Sequence, residues 1–134
     1  MQINNGLPEN DQKKFSLAKR LFAFRHAFKG LKILLKEEHN ARIHLFVTCN
    51  VLIGGVFFKI STGEWLAVIF CIGLVFSLEL INSAIENITD LYSKETNETI
   101  KKIKDLAAGA VLTASIASAT IGSIIFLPKI FALF

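Results

Sequence analysis

The sequence predicts an all-α membrane protein: an N-terminal amphipathic surface helix followed by three transmembrane helices. Three observations carry that expectation. Hydrophobic residues make up 52% of the chain and charged residues 19%, against about 45–50% and about 25% in soluble domains. Long apolar runs recur, two of which, Trp65 to Phe76 and Ala110 to Phe126, carry no charge. The basic residues are grouped: nine precede Ile43, four lie between the second and third apolar runs, and only Lys59 and Lys129 lie elsewhere. Such grouping is a membrane-topology signal rather than the footprint of a nucleic-acid partner. With 134 residues, the chain is expected to be one domain.

Residues 1–12 are polar and read as a flexible tail, without the apolar run and small-residue site of a signal peptide. Residues 14–40 read as the surface helix. Leu17, Leu21, Phe24, Phe28, Leu31 and Leu35 step by four and three, which puts them on one narrow stripe. Arg25, Lys29, Lys32 and Lys36 run along its flank, as suits a helix lying among anionic headgroups. The first span is expected over 43–58, with Arg42 and Lys59 snorkelling from its ends. His39 and His44 read as interfacial polar residues, and Arg42 as a contact to lipid phosphate. KISTGE, from Lys59 to Glu64, is a tight turn closing a helical hairpin.

The second span is expected over 65–91, opened by Trp65 at an interface. Some 27 residues at 1.5 Å rise make about 40 Å, longer than a hydrocarbon core of about 30 Å. Its last third therefore emerges near the headgroups. Residues 92–104 form a polar connection, and the third span covers 105–127, with Pro128 as its stop. Ala110, Ala114, Ser118 and Gly122 form a small-residue face for close helix packing, and Gly54 and Gly55 read similarly. Cys49 and Cys71 lie in apolar runs without a CxxC pair and read as buried, reduced thiols. The positive-inside rule places the N-terminal helix and the 92–104 connection in the cytoplasm and the C-terminus opposite.

The chemistry concentrates in SLELINSAIENITDL, Ser77 to Leu91. On a helix Glu79, Ser83, Glu86 and Asp90 share one face and Asn82 flanks it. Aligned carboxylates repel unless something positive joins them, and near a membrane they are costly and usually functional. They suit a hard cation such as Mg²⁺, which takes one or two carboxylates and completes its shell with water and phosphate oxygens. With Lys104, Asp105, Glu37 and Glu38 at similar depth, the set points to phosphoryl transfer to a lipid alcohol. No P-loop, GxGxxG, protein-kinase, HExxH or GxSxG motif occurs. Two other classes fit parts of the pattern. A small oligomeric cation channel or transporter would use the acidic face, but the spans toward the far side carry no charge. A non-enzymatic membrane interaction module would give no reason for aligned carboxylates beside Lys104 and Asp105.

ELINSAIENITD, Glu79 to Asp90, resembles the signature of the small bacterial integral-membrane diacylglycerol and undecaprenol kinases. KDLAAGAVL, Lys104 to Leu112, and FKGLKILLKEEHNARIHL, Phe28 to Leu45, resemble two further blocks of that family in the same order. The resemblance covers about Lys19 to Phe126. It implies an ATP- and Mg²⁺-dependent lipid kinase of the bacterial inner membrane, a homotrimer with active sites shared between chains. It assigns Glu79 as general base and Asn82 as a supporting polar residue. Glu38 and Glu86 match the metal carboxylates. Lys19, His26, Glu95, Asn97, Lys104 and Asp105 fall where the family contacts nucleotide, with Lys104 on phosphate. His26 and Asn97 depart from the best-known diacylglycerol kinase, which has a Tyr and a His there. EEHNARIH is nearer the undecaprenol-kinase style.

Overall fold

A computed structural model describes residues 17–92 and 97–134, with side chains from residue 22 onward. Four helices follow one another: α1 (Leu17–Glu37), α2 (His39–Phe57), α3 (Thr62–Tyr92) and α4 (Glu98–Phe131). There is no strand among the described residues. The last three are long and apolar enough to cross a membrane, and the protein is integral to one. At 1.5 Å per residue they measure about 28, 46 and 51 Å. α3 and α4 therefore outlast the hydrocarbon layer, and their extensions carry the polar residues. α3 packs chiefly on α4; α2 meets α3 more sparingly, and α1 touches both α2 and α3.

The α1–α2 junction is a single residue. Glu38 leaves the helical region, at φ −95° and ψ 120°, yet its N–H still donates to the Leu34 carbonyl at 2.8 Å. The chain thus turns sharply without losing that bond. Leu34 and Ala41, the most deeply buried apolar residues beside the turn, pin it. The apolar stripe of α1 is not the surface that packs on the rest of the chain. Phe24, Phe28 and Leu31 are exposed, while Leu34, about 100° round the helix from them, is the residue that packs.

The turn after α2 is built twice over. Lys59 is left-handed at φ 50°. Its N–H donates to Val56 O at 3.2 Å and that of Ile60 to Gly55 O at 3.1 Å, which is a Schellman ending. The next residue opens α3 with a capping box: Ser61 N–H donates to Glu64 Oε2 at 2.6 Å and Glu64 N–H to Ser61 Oγ at 3.3 Å. Glu64 Oε1 also accepts from Lys129 Nζ at 2.8 Å, tying the hairpin to the end of α4. Ile60, Val68 and Ile125 form a small core here, with Trp65, Phe58 and Phe126 against it.

Several expectations are revised. The helix that carries the third span starts at Glu98, not at 105, because Asn97 caps it: its side chain accepts from Ile100 N–H. Pro128 does not stop α4, which runs to Phe131. Only one helical hydrogen bond is forgone there, close to an end where carbonyls lack partners anyway. Gly54 and Gly55 seat aromatic rings rather than a helix backbone: a Cβ would lie 3.3 Å from Phe126 and 2.7 Å from Trp65. Of the small-residue face on α4, Ala114 is buried while Ala110 is exposed. Both cysteines are free, but neither is buried: Cys71 is half-buried and Cys49 exposed.

Candidate active site

At the end of α3 distant from that core the buried groups are polar. Glu79, Asn82, Ser83 and Thr89 all lie inward, and Glu86 is half-buried beside them. Positions i, i+3, i+4 and i+7 share a helix face, so one stretch of α3 presents Glu79, Asn82, Ser83 and Glu86 together. The α1–α2 turn covers that face. Ser83 Oγ donates to Glu38 Oε1 at 3.0 Å, a bond between residues 45 positions apart in sequence. Glu38 is the N-cap residue of α2, yet its side chain makes no capping bond and reaches across to α3 instead. Asn82 Nδ2 donates to Glu86 Oε1 at 2.9 Å. Two carboxylates are thereby oriented by neutral donors, which leaves most of their acceptor positions for a ligand.

Glu79 is the most buried of the set, at 2% exposure. His44 of α2 brings Nε2 to 3.1 Å from its Oε1, but the contact is not aligned as a hydrogen bond, and that oxygen has no hydrogen-bond partner. Asn82 Oδ1 is likewise without one. Buried polar atoms usually find partners; on this face Glu79 Oε1 is met only by the His44 imidazole, and Asn82 Oδ1 accepts from no group among the described residues. His44 also lines an apolar groove of about 720 Å³ between α2 and α4 over α3. The groove runs past Asn50, Cys71 and Ser118 to Phe126 and Ile130, about 21 Å along α2 from His44 to Phe58. Asn50 is satisfied within α2, donating to Phe46 O at 2.8 Å.

The remaining sequence candidates sort differently. Lys104 Nζ pairs with Asp90 Oδ1 across α3 and α4, at the exposed tip of the acidic face. Asp90 lies eleven residues beyond Glu79, about 16 Å along the helix. Lys104 is therefore remote from Glu79 within one chain. Asp105 is exposed next to it. Asn97 is occupied as a helix cap. His26 is exposed, edge-on to Phe22 at 5.1 Å, away from the carboxylates on α1. Glu95 and the Lys19 side chain lie outside the described residues. Arg42 Nη2 sits 3.5 Å from His39 Nδ1 on the surface. His44, read from sequence as an interfacial polar residue, brings its imidazole to 3.1 Å from Glu79, a contact the sequence reading did not include. The available signal was its place four residues before Thr48 and six before Asn50 on the same helix, at the end of the EEHNARIH block.

These features meet a matching record of similarity. Residues 25–126 match the family described as prokaryotic diacylglycerol kinase. The chain belongs to that family. It is 41% identical over 108 residues to the undecaprenol kinase of Bacillus subtilis, covering 81% of this chain and 88% of that one. It is 33% identical over 114 residues to the diacylglycerol kinase of Synechocystis, covering 84% and 65%. With the diacylglycerol kinase of Haemophilus influenzae it shares 34% identity over 91 residues, covering 67% and 76%. The protein is thus an enzyme, a lipid kinase, and ATP as co-substrate follows from the family.

Proposed function

We propose that the protein transfers the γ-phosphate of ATP to the hydroxyl of a long-chain membrane lipid, undecaprenol or diacylglycerol, at the cytoplasmic interface and with Mg²⁺. One observation carries the reading: a buried carboxylate, Glu79, stands 3.1 Å from His44 at the head of an apolar groove. A lipid chain lying in the groove would carry its alcohol to Glu79. Glu79 would accept the hydroxyl proton as the oxygen attacks phosphorus. Asn82, bonded to Glu86 and with Oδ1 free, would hold the acceptor end of the site in register.

Glu38 and Glu86 supply hard oxygen donors on the two sides of the same face. No three His, Cys, Asp or Glu side chains converge as a metal cage among the described residues. Mg²⁺ does not need one, because phosphate oxygens and water complete its shell. Bound there, it would offset the charge of the β- and γ-phosphates. Lys104 would meet phosphate as a cation. Its distance from Glu79 along α3 favours a site assembled from more than one chain, in which the Lys104 end of one protomer serves the Glu79 of a neighbour. A homotrimer with shared sites fits that need. The exposed Phe24, Phe28 and Leu31 beside Lys29, Lys32 and Lys36 fit α1 to an anionic lipid surface, with the N-terminus cytoplasmic and the C-terminus opposite.

The test is transfer of labelled phosphate from ATP by purified protein in detergent micelles. Undecaprenol and diacylglycerol are offered separately, with and without Mg²⁺. Label on one lipid, lost when Mg²⁺ is withdrawn, is the expected result and names the substrate. Label on neither, from folded protein, would end the proposal.

A further inference from the structure

We infer that His44 is the exit for the reaction's proton, carrying it from Glu79 to water. The inference rests on the reading of Glu79 as base. When the lipid O–H bond breaks, its proton passes to the Glu79 carboxylate. The new O–P bond forms and the bond from phosphorus to the ADP oxygen breaks, its electron pair leaving with ADP. Glu79 then holds a proton that must leave before the next turnover.

Glu79 has little route of its own. Its side chain is 3% exposed and that of His44 is 24% exposed, with Nε2 of the imidazole 3.1 Å from the carboxylate oxygen. The other polar groups of this face are engaged elsewhere: Ser83 donates to Glu38, Asn82 to Glu86 and Asn87 Nδ2 to the Ser83 carbonyl. Along the groove lining His44 is the one residue carrying an imidazole or a charge. The α4 side of that groove offers Ser115, Ser118 and Ser123 and no titratable group. The charges around His44 are therefore Glu79 on α3, with Glu38 of the α1–α2 turn and Glu86 of α3 behind it. The imidazole has two distinct ring nitrogens, so it can take a proton at Nε2 and release another from Nδ1.

The experiment uses the full-length protein in micelles and compares it with His44→Gln and His44→Asn. The relay predicts that kcat falls about tenfold or more, while KM for ATP and for the lipid stays near its original value. Added free imidazole should restore much of the lost kcat, and the restoration should rise with pH as the neutral base becomes available. A shape-only role would leave the variants beyond rescue. Unchanged kcat, or a loss that imidazole does not restore in either folded variant, overturns the relay. Glu79→Gln run alongside separates the two readings: if it keeps full activity, the assignment of the base itself has failed.

Discussion

Ser83 and Gly55 show how single side chains of this protein divide between site and scaffold. Ser83 donates to Glu38 from a buried position, so Ser83→Ala leaves a half-buried carboxylate oxygen without its donor. Loss of such a bond costs about 1–3 kcal/mol. The expected outcome is a raised KM for ATP with Mg²⁺, since Glu38 would lose its fixed orientation; steady-state kinetics at varied Mg²⁺ measures it. Gly55 sits against the Trp65 ring, with the nearest ring carbon 2.7 Å from where a Cβ would go. Gly55→Ala should therefore destabilise by about 1–3 kcal/mol through overpacking, read as a lower unfolding midpoint in micelles, with kcat of the folded fraction retained. From sequence, Glu79, Asn82, Ser83 and Glu86 were legible because helical spacing alone aligns them. The Glu38–Ser83 bond was not, because it depends on a one-residue break between α1 and α2 that no Pro or Gly announces. The His44–Glu79 contact was not legible either, because it joins two helices whose packing the sequence does not state.

At the scale of elements, the turn between α2 and α3 is where the chain spends conformational strain. Lys59 holds a left-handed φ of 50°, a region costing about 1–2 kcal/mol for a residue with a Cβ. Lys59→Gly should raise the unfolding midpoint without altering kcat, as chemical denaturation in micelles would report; a fall would mean that the lysine head contributes more than its backbone costs. Glu64 joins three elements through one carboxylate, capping α3 with one oxygen and holding Lys129 with the other. Glu64→Gln and Lys129→Gln should each loosen this end. Combined, they should do less than the sum of their separate effects, because they break the same contact. The number and order of helices followed from hydropathy and spacing. Their ends followed less well: Asn97 starts α4 seven residues earlier than the apolar run does, since capping and not hydropathy sets where a helix begins. Pro128 failed as a stop because it stands within the last turn.

For the whole molecule, the outer faces of α2, α3 and α4 expose Phe46, Ile53, Phe57, Ile69, Phe70 and Ile124, a surface that lipid or neighbouring chains must cover. Lys104 pairs with Asp90, about 16 Å along α3 from Glu79, so sharing between protomers is testable by mixing. Chains carrying Glu79→Gln and chains carrying Lys104→Met, each inactive alone, should regain activity when co-assembled; absence of recovery in assemblies shown to be mixed would place each site within one chain. The central claim is that Glu79 is the base. Its most direct test is the single-turnover rate of phosphate transfer to the lipid by Glu79→Gln under saturating ATP and Mg²⁺. The account predicts a fall of about 10²–10⁴, with folding and ATP binding preserved. A rate within a few fold of the unsubstituted protein would contradict it.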